Sequence, residues 1–114
     1  MSSGFISSID SADFEPYEFA EEDVLEGVPN ARIHWVRPEG SGAQAVGIYR
    51  GDPCVFRYTW ETDETIYILE GRARVEVEGG DTIELGVGDV ASFPAGGRSI
   101  WHLLEPFCEL FVLS

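Results

Sequence analysis

The stretch Glu64-Thr-Ile-Tyr-Ile-Leu-Glu-Gly71 is rich in β-branched and aromatic residues and ends on a glycine. Further along the chain lies Gly88-Asp-Val-Ala-Ser-Phe-Pro-Ala-Gly96, a second short run with glycine and proline at its ends. Short runs of this composition, bounded by residues that favour turns, are typical of β-strands. The two stretches therefore predict two strands, each followed by a tight turn.

The same pattern extends from Ala31 to the C-terminus. Short apolar or alternating runs are broken by Gly, Pro and Asp, and they leave no room for a helix that connects parallel strands. The predicted strands span residues 31–36, 45–50, 54–60, 65–69, 72–78, 81–85, 89–93, 99–104 and 107–113. The sequence thus predicts an all-β fold, an antiparallel meander that closes as a barrel or a sandwich.

Residues 1–30 form an acidic N-terminal arm that precedes the predicted β domain of residues 31–114. Residues 10–26 contain eight acids and no base. Pro16 could occupy the first position of a helix and Gly27 could follow its last residue, so a short helix over residues 16–25 is one prediction. The alternative is an irregular, solvated arm, because a run of acids is usually a solvated segment.

The composition excludes several classes of function. The chain has 114 residues, the size of one domain, and its 21 acids and seven bases give a net charge of −14. This charge argues against binding to nucleic acid or to an anionic membrane surface, because both require a positive face. The sequence has no apolar run of membrane-spanning length and no export signal. We therefore expect a cytoplasmic protein in which Cys54 and Cys108, which form no C-x-x-C motif, are buried thiols.

Four segments of the chain occur in the order and at the spacings found in small single-domain cupins. They are Phe56-x-Tyr58-x-Trp60, the run from Asp63 to Gly71, Gly88-Asp89 with Phe93-Pro94-x-Gly96, and Trp101. Through them the chain resembles the cupin-3 or DUF861 group, which includes ethanolamine-utilisation and ureidoglycine aminohydrolase-like cupins. The resemblance implies an antiparallel RmlC-like cupin β-barrel, a form of jelly roll, and often a homodimer.

The metal-binding histidines of the cupin motifs are missing from this chain. Their positions are occupied by Tyr58 and Trp60 (or by Arg57 and Thr59 with the longer motif spacing) and by Ser99. The resemblance therefore implies that Glu64 is the one ligand retained from a four-ligand metal site. We predict no bound cofactor. The alternative is a divalent metal held by Glu64 with His34 or His102.

The cupin register indicates a pocket at the barrel mouth. It brings together Tyr58, Trp60, Glu64, Ser99 and Trp101, with Phe56 on the same face of its strand. Aromatic walls with a few polar groups are typical of sites for small organic ligands, whereas rings that only fill a small barrel are the alternative. Relatives often carry a basic Arg-Lys pair where this sequence has Cys108-Glu109, so an anion-binding role is not expected. We therefore predict a module that binds a small, uncharged or cationic metabolite.

The second hypothesis is an enzyme of small-metabolite catabolism, a hydrolase, isomerase or lyase. A carboxylate among aromatic rings is desolvated, which raises its pKa toward a range useful for acid–base catalysis. Glu64 and Tyr58 are the candidate catalytic residues, while the alternative is that Glu64 accepts structural hydrogen bonds or pairs with an arginine. We also expect a homodimer in which the strand Ile33-His34-Trp35-Val36 adds to a neighbouring sheet.

Overall fold

β-Strands form both layers of the fold, and the computed structural model describes residues 4–40 and 42–114. Within these ranges the strands are β1 (Glu15–Pro16), β2 (Val24–Gly27), β3 (Arg32–Arg37), β4 (Ala45–Gly51), β5 (Cys54–Thr59), β6 (Glu64–Glu70), β7 (Ala73–Val77), β8 (Thr82–Leu85), β9 (Val90–Phe93), β10 (Arg98–Leu103) and β11 (Phe107–Leu113). The all-β prediction is confirmed. The strands predicted from residue 31 onwards match β3 to β11 to within one residue at each end.

The strands form two antiparallel sheets that face each other as a jelly roll. One sheet has six strands in the order β1-β3-β4-β11-β6-β9, and the other has five in the order β2-β5-β10-β7-β8. Beyond β5 the chain passes repeatedly from one sheet to the other, so most neighbouring strands are far apart in sequence. The predicted barrel is therefore built from two sheets, and its interior lies between their inner faces.

Alternation of side chains along each strand determines which residues enter this interior. On β10, Ser99, Trp101 and Leu103 are buried, whereas the residues between them are partly exposed. On β7, Ala73 and Val75 are buried in the same way. The faces predicted from the sequence are confirmed for both strands.

The acidic N-terminal segment pairs with both sheets. β1 is antiparallel to β3, and β2 is antiparallel to β5. The helix predicted as one alternative for residues 16–25 is wrong, since the helical geometry of that range is limited to a 3₁₀ turn at Glu21–Asp23. Pairing with two sheets satisfies the backbone amides and carbonyls of the segment, and this outweighs the weak helix preference of so short a stretch.

A close approach between backbone segments explains the glycine that follows β6. Gly71 has φ of +81°, and a Cβ atom at this position would lie 2.2 Å from the carbonyl oxygen of Pro106. Any other residue would strain the backbone and collide with the loop between β10 and β11. The motif glycine therefore allows the end of β6 to lie against the start of β11.

Two aspartates of the motifs fix the loops at the sheet ends. Asp89 accepts a hydrogen bond from the Gly86 amide over 2.8 Å and closes the turn before β9. Asp63 accepts one from the Ala95 amide, also over 2.8 Å. The second contact ties the loop before β6 to the loop after β9, which fixes the position of Glu64 at the start of its strand.

Cys54 and Cys108 are free and buried, as predicted. Burial raises the pKa of each thiol to about 11, so both remain protonated at neutral pH. They act as small apolar side chains in the packing of the fold. Among the described residues, no helix has the length and hydrophobicity needed to cross a lipid bilayer.

Candidate functional site

A cavity of about 960 Å³ lies between the two sheets. Strands of both sheets and the N-terminal segment contribute to its wall. Five of the six predicted ligand-binding residues line it, namely Phe56, Tyr58, Glu64, Ser99 and Trp101. Phe56 and Trp101 are stacked with nearly parallel rings, 6.2 Å between centroids. The cavity therefore has a flat aromatic wall that is fixed by strand pairing.

Trp60, the sixth predicted residue, is placed in the packed core and does not line the cavity. β5 ends at Thr59, and the Trp60 ring stacks on Phe93 with 4.3 Å between centroids. The Trp60 amide donates to the carbonyl of Gly97, which holds the residue against the turn after β9. Trp60 is buried, as the alternation along β5 predicted, but its ring packs on Phe93 in the core.

The two candidate catalytic residues are joined by a hydrogen bond inside the cavity. The Tyr58 hydroxyl donates to Glu64 Oε1 over 2.8 Å. Glu64 is 6% exposed, so burial raises its pKa, and the hydrogen bond from Tyr58 opposes part of that rise. Burial also raises the pKa of Tyr58, and the adjacent Glu64 carboxylate adds to this effect. The pair thus places a carboxyl and a neutral phenol in a desolvated position, which suits ligand binding or acid–base chemistry.

Ser99 orients two aromatic residues of the cavity. Its hydroxyl donates to the carbonyl oxygen of Tyr58 over 2.8 Å and accepts the indole N–H of Trp101 over 3.1 Å. Ser99 and Tyr58 are directly opposite each other on β10 and β5. A hydroxyl has one donor and two acceptor positions, so these contacts leave one lone pair for a ligand.

Two further polar residues of the cavity were not predicted from the sequence. Glu109 on β11 and Tyr49 on β4 are directly opposite each other, and both side chains are buried. Burial raises the pKa of Glu109 well above its ordinary value, and the Glu64 carboxylate adds to the rise. The signal was present in the alternation of β11, where Glu109 shares a face with Phe107 and Phe111.

The N-terminal segment also contributes side chains that sequence analysis did not assign to the site. Phe19 packs on Phe56 with 4.5 Å between centroids, and Tyr17 meets Phe19 edge-on at 5.1 Å. Both residues line the cavity. The alternation of Tyr17 and Phe19 around a glutamate is a strand-like signal that could have indicated this placement.

The donor set of the cavity does not fit a conventional metal centre. His102 lies on the outer face of β10, where its Nε2 contacts Glu76. His34 lies on the outer face of β3, where its ring nitrogens contact the Asp13 carbonyl and the Ser7 hydroxyl, each at 2.8 Å. Strand alternation therefore keeps both histidines away from Glu64. Within residues 4–40 and 42–114, no group of three or more His, Cys, Asp or Glu side chains is arranged to hold an ion.

Comparison with solved structures finds several folds of the same kind. A putative ethanolamine utilization protein Q from Salmonella typhimurium LT2 is 24% identical, with a TM-score of 0.76 over 93% of this chain and 81% of that chain. A DUF861 family protein from Thermotoga maritima is 36% identical, with a TM-score of 0.57 over 59% of this chain and 76% of that chain. KdgF from Halomonas sp. is 23% identical, with a TM-score of 0.68 over 98% of this chain and 95% of that chain.

The family assignment follows from the sequence match. Comparison with curated proteins gives no match. Residues 38–109, which are more than half of the chain, match the family model of the EutQ-like cupin domain. The chain therefore belongs to the cupin-3 family of EutQ-like cupins.

Proposed function

We propose that this cupin binds a small organic molecule in the cavity between its sheets, using hydrogen bonds and aromatic contacts without a complete cupin metal site. The observation that carries the proposal is the Tyr58–Glu64 pair, which is hydrogen-bonded at 2.8 Å on the wall of a cavity of about 960 Å³. Pockets for small ligands hold roughly 300 to 1,000 Å³ and combine apolar walls with a few polar groups. The cavity has both features, which supports a pocket over a barrel interior filled for stability alone.

The free hydrogen-bonding capacity of Tyr58, Glu64 and Ser99 favours ligands that donate hydrogen bonds. The Tyr58 hydroxyl already donates to Glu64, so its oxygen has lone pairs to offer. Glu64 has a second carboxyl oxygen, and Ser99 has one remaining lone pair. These groups are acceptors, and they support an uncharged or cationic ligand with N–H or O–H groups over an anion.

A thermal-shift screen of the purified full chain against a library of small metabolites tests this proposal. A ligand of the cavity raises the melting temperature of the wild type, because it binds the folded state alone. The stabilisation is expected to be lost in Glu64→Gln and Tyr58→Phe and to persist in Glu84→Gln, whose side chain lies on the outer surface. A ligand that stabilises Glu64→Gln as well as the wild type would place its site elsewhere and contradict the proposal.

The second candidate function is a small-metabolite hydrolase, isomerase or lyase that uses the same pair. The favouring observation is the raised pKa of Glu64, since a buried carboxyl with a shifted pKa beside a phenol is suited to proton transfer. In that case Glu64→Gln abolishes turnover while ligand binding is retained. Turnover that persists in Glu64→Gln would exclude Glu64 as the acid or base.

We also propose that the cavity acts without a resident metal ion, which its donor set supports. Elemental analysis of the tag-free protein, repeated on Glu64→Ala, provides the test. The wild type and the variant are both expected to carry less than stoichiometric metal. Stoichiometric Mn, Fe, Ni or Zn that disappears in Glu64→Ala would overturn this proposal.

A further inference from the structure

Glu109 and Tyr49 form a second polar pair in the cavity, separate from Tyr58 and Glu64. Glu109 is 6% exposed, and within the described parts of the chain neither its Oε1 nor the Tyr49 hydroxyl has a hydrogen-bond partner. The two residues are directly opposite each other on β11 and β4. Cross-strand neighbours that share a face have adjacent Cβ atoms, and the Tyr49 hydroxyl lies further along β4, beside Gly51 and Leu103, so a ligand that contacts both groups spans this part of the inner face.

The unpaired polar atoms of Tyr49 and Glu109 destabilise the folded protein when the cavity is empty. Buried polar atoms are satisfied in nearly all native structures, and an unmade hydrogen bond in a desolvated position is destabilising. On the neighbouring strands Tyr49 pairs with Ile33, and Glu109 pairs with Ile68. Apolar side chains in place of Tyr49 and Glu109 would therefore match the residues around them on the inner face. Two adjacent unpaired polar groups that line a cavity are therefore best explained by a ligand that contacts both.

The polar groups of the pair indicate the charge of the ligand. Glu109 offers a carboxyl oxygen, Tyr49 offers a phenol oxygen, and the charge that acts on Glu109 in addition to burial is that of Glu64. A cation that displaces the Glu109 proton forms an ion pair with the carboxylate, whereas an anion forms no such pair and is repelled by any ionised carboxyl group of the cavity. The rings of Phe111 and Trp101, which line the cavity from opposite sheets, favour a cation further, because aromatic faces carry partial negative charge.

We propose that the Tyr49–Glu109 pair is a subsite for a protonated amine, so that the ligand of the cavity is a small organic ammonium compound. The ammonium group donates to Glu109 and to the Tyr49 oxygen, and a hydroxyl or second amine of the ligand contacts Tyr58 and Glu64. This inference rests on the proposed binding function, and it assigns that function a ligand class.

Binding of an ammonium group at this subsite releases a proton. Burial and the Glu64 charge raise the pKa of Glu109, so the empty cavity retains a proton on this carboxyl. When the ammonium binds, the carboxyl releases its proton to solvent and forms an ion pair, while the ligand nitrogen keeps its own protons. The other titratable or charged groups that line the cavity or act on this pair are Tyr17, Asp23, Arg32, Glu39, Tyr49, Cys54, Arg57, Tyr58, Glu61, Glu64, Glu76, Glu78 and Arg98.

Benzylammonium and benzyl alcohol are suitable probes, because they share an aromatic ring and differ in the group offered to Glu109. Calorimetric titration of the full chain is expected to show at least about tenfold tighter binding of benzylammonium. Titration in buffers with different ionisation heats is expected to show proton release with benzylammonium and none with benzyl alcohol. Glu109→Gln is expected to lose both the preference and the proton release, Tyr49→Phe to lose part of the preference, and Glu84→Gln to retain both.

The outcomes separate this inference from the proposed function. Equal affinity for the two probes, or a preference for benzylammonium that survives in Glu109→Gln, overturns the ammonium subsite and leaves a binding cavity. If neither probe binds at millimolar concentration, the ammonium subsite is overturned as well. A neutral or anionic metabolite that stabilises the wild type and requires Glu64 then still supports the proposed function.

Discussion

Replacement of Glu109 by Gln is expected to stabilise the empty protein at neutral pH. Burial raises the pKa of Glu109 in the folded chain well above 4.5, so the folded state keeps a proton that the unfolded state releases. The free energy of unfolding of the wild type therefore falls as the pH rises from the unfolded pKa toward the folded pKa, by up to about 1.4 kcal/mol per pH unit. Gln has no such proton, so the variant lacks this contribution to the pH dependence.

The predicted quantity is the difference in the free energy of unfolding between Glu109→Gln and the wild type. As the pH rises above the unfolded pKa, Glu109→Gln is expected to gain on the wild type by up to about 1.4 kcal/mol per pH unit, until the pH passes the folded pKa of Glu109. Urea unfolding followed by tryptophan fluorescence at several pH values measures it. Glu84→Gln is the matched control for the loss of one carboxylate on the outer surface, and since Glu84 pairs there with Arg74, it also includes the small contribution of one exposed ion pair. Parallel pH profiles for the wild type and Glu109→Gln would refute the reasoning.

Three other predictions concern one hydrogen bond, one backbone contact and the oligomeric state. Tyr58→Phe removes the hydrogen bond that lowers the Glu64 pKa, so that pKa is expected to rise further; carbon NMR titration measures it, and an unchanged pKa would show that the bond is not formed. Gly71→Ala is expected to lower the free energy of unfolding by about 3 kcal/mol or more, because its backbone would be strained and its Cβ would clash with the backbone of Pro106. Gly79 also has positive φ but lies in open space, so Gly79→Ala is expected to lower it by about 1 kcal/mol. Equal losses of the two variants in urea unfolding would contradict this. Sedimentation at micromolar concentration is expected to give a homodimer, and a monomer would end that hypothesis.

The strands that could be predicted from the sequence are those with an alternating or apolar pattern of their own. β7 alternates Ala73 and Val75 with Arg74 and Glu76, so both its existence and its inner face followed from periodicity, as did the division of β5 and β10 into two faces. Turn residues set their ends, because glycine and proline restrict where a strand can continue. Five residues of the candidate site could be placed from the sequence because the cupin resemblance supplied the register that brings their strands together.

The N-terminal strands could not be predicted in this way. β1 has two residues and β2 has four, and most of their side chains are exposed, so neither has a hydrophobic period. Their conformation depends on pairing with β3 and β5, which are distant in sequence. Acids with a proline before and a glycine after favour a helix locally, and tertiary pairing reversed this preference.

The contacts of Tyr58, Ser99 and Glu64 show what replaced the metal ligands of the cupin motifs. In this chain the Trp101 indole donates to Ser99, Ser99 donates to the Tyr58 carbonyl, and the Tyr58 hydroxyl donates to Glu64. Three of the four positions that the cupin resemblance assigns to metal ligands are thus joined by hydrogen bonds, which orient the side chains of Tyr58 and Glu64. A buried carboxyl requires a positively charged or hydrogen-bond-donating partner. Glu64 has Tyr58 for this purpose, and Glu109, whose Oε1 has no such partner among the described residues, is the group that a ligand has most to gain by contacting.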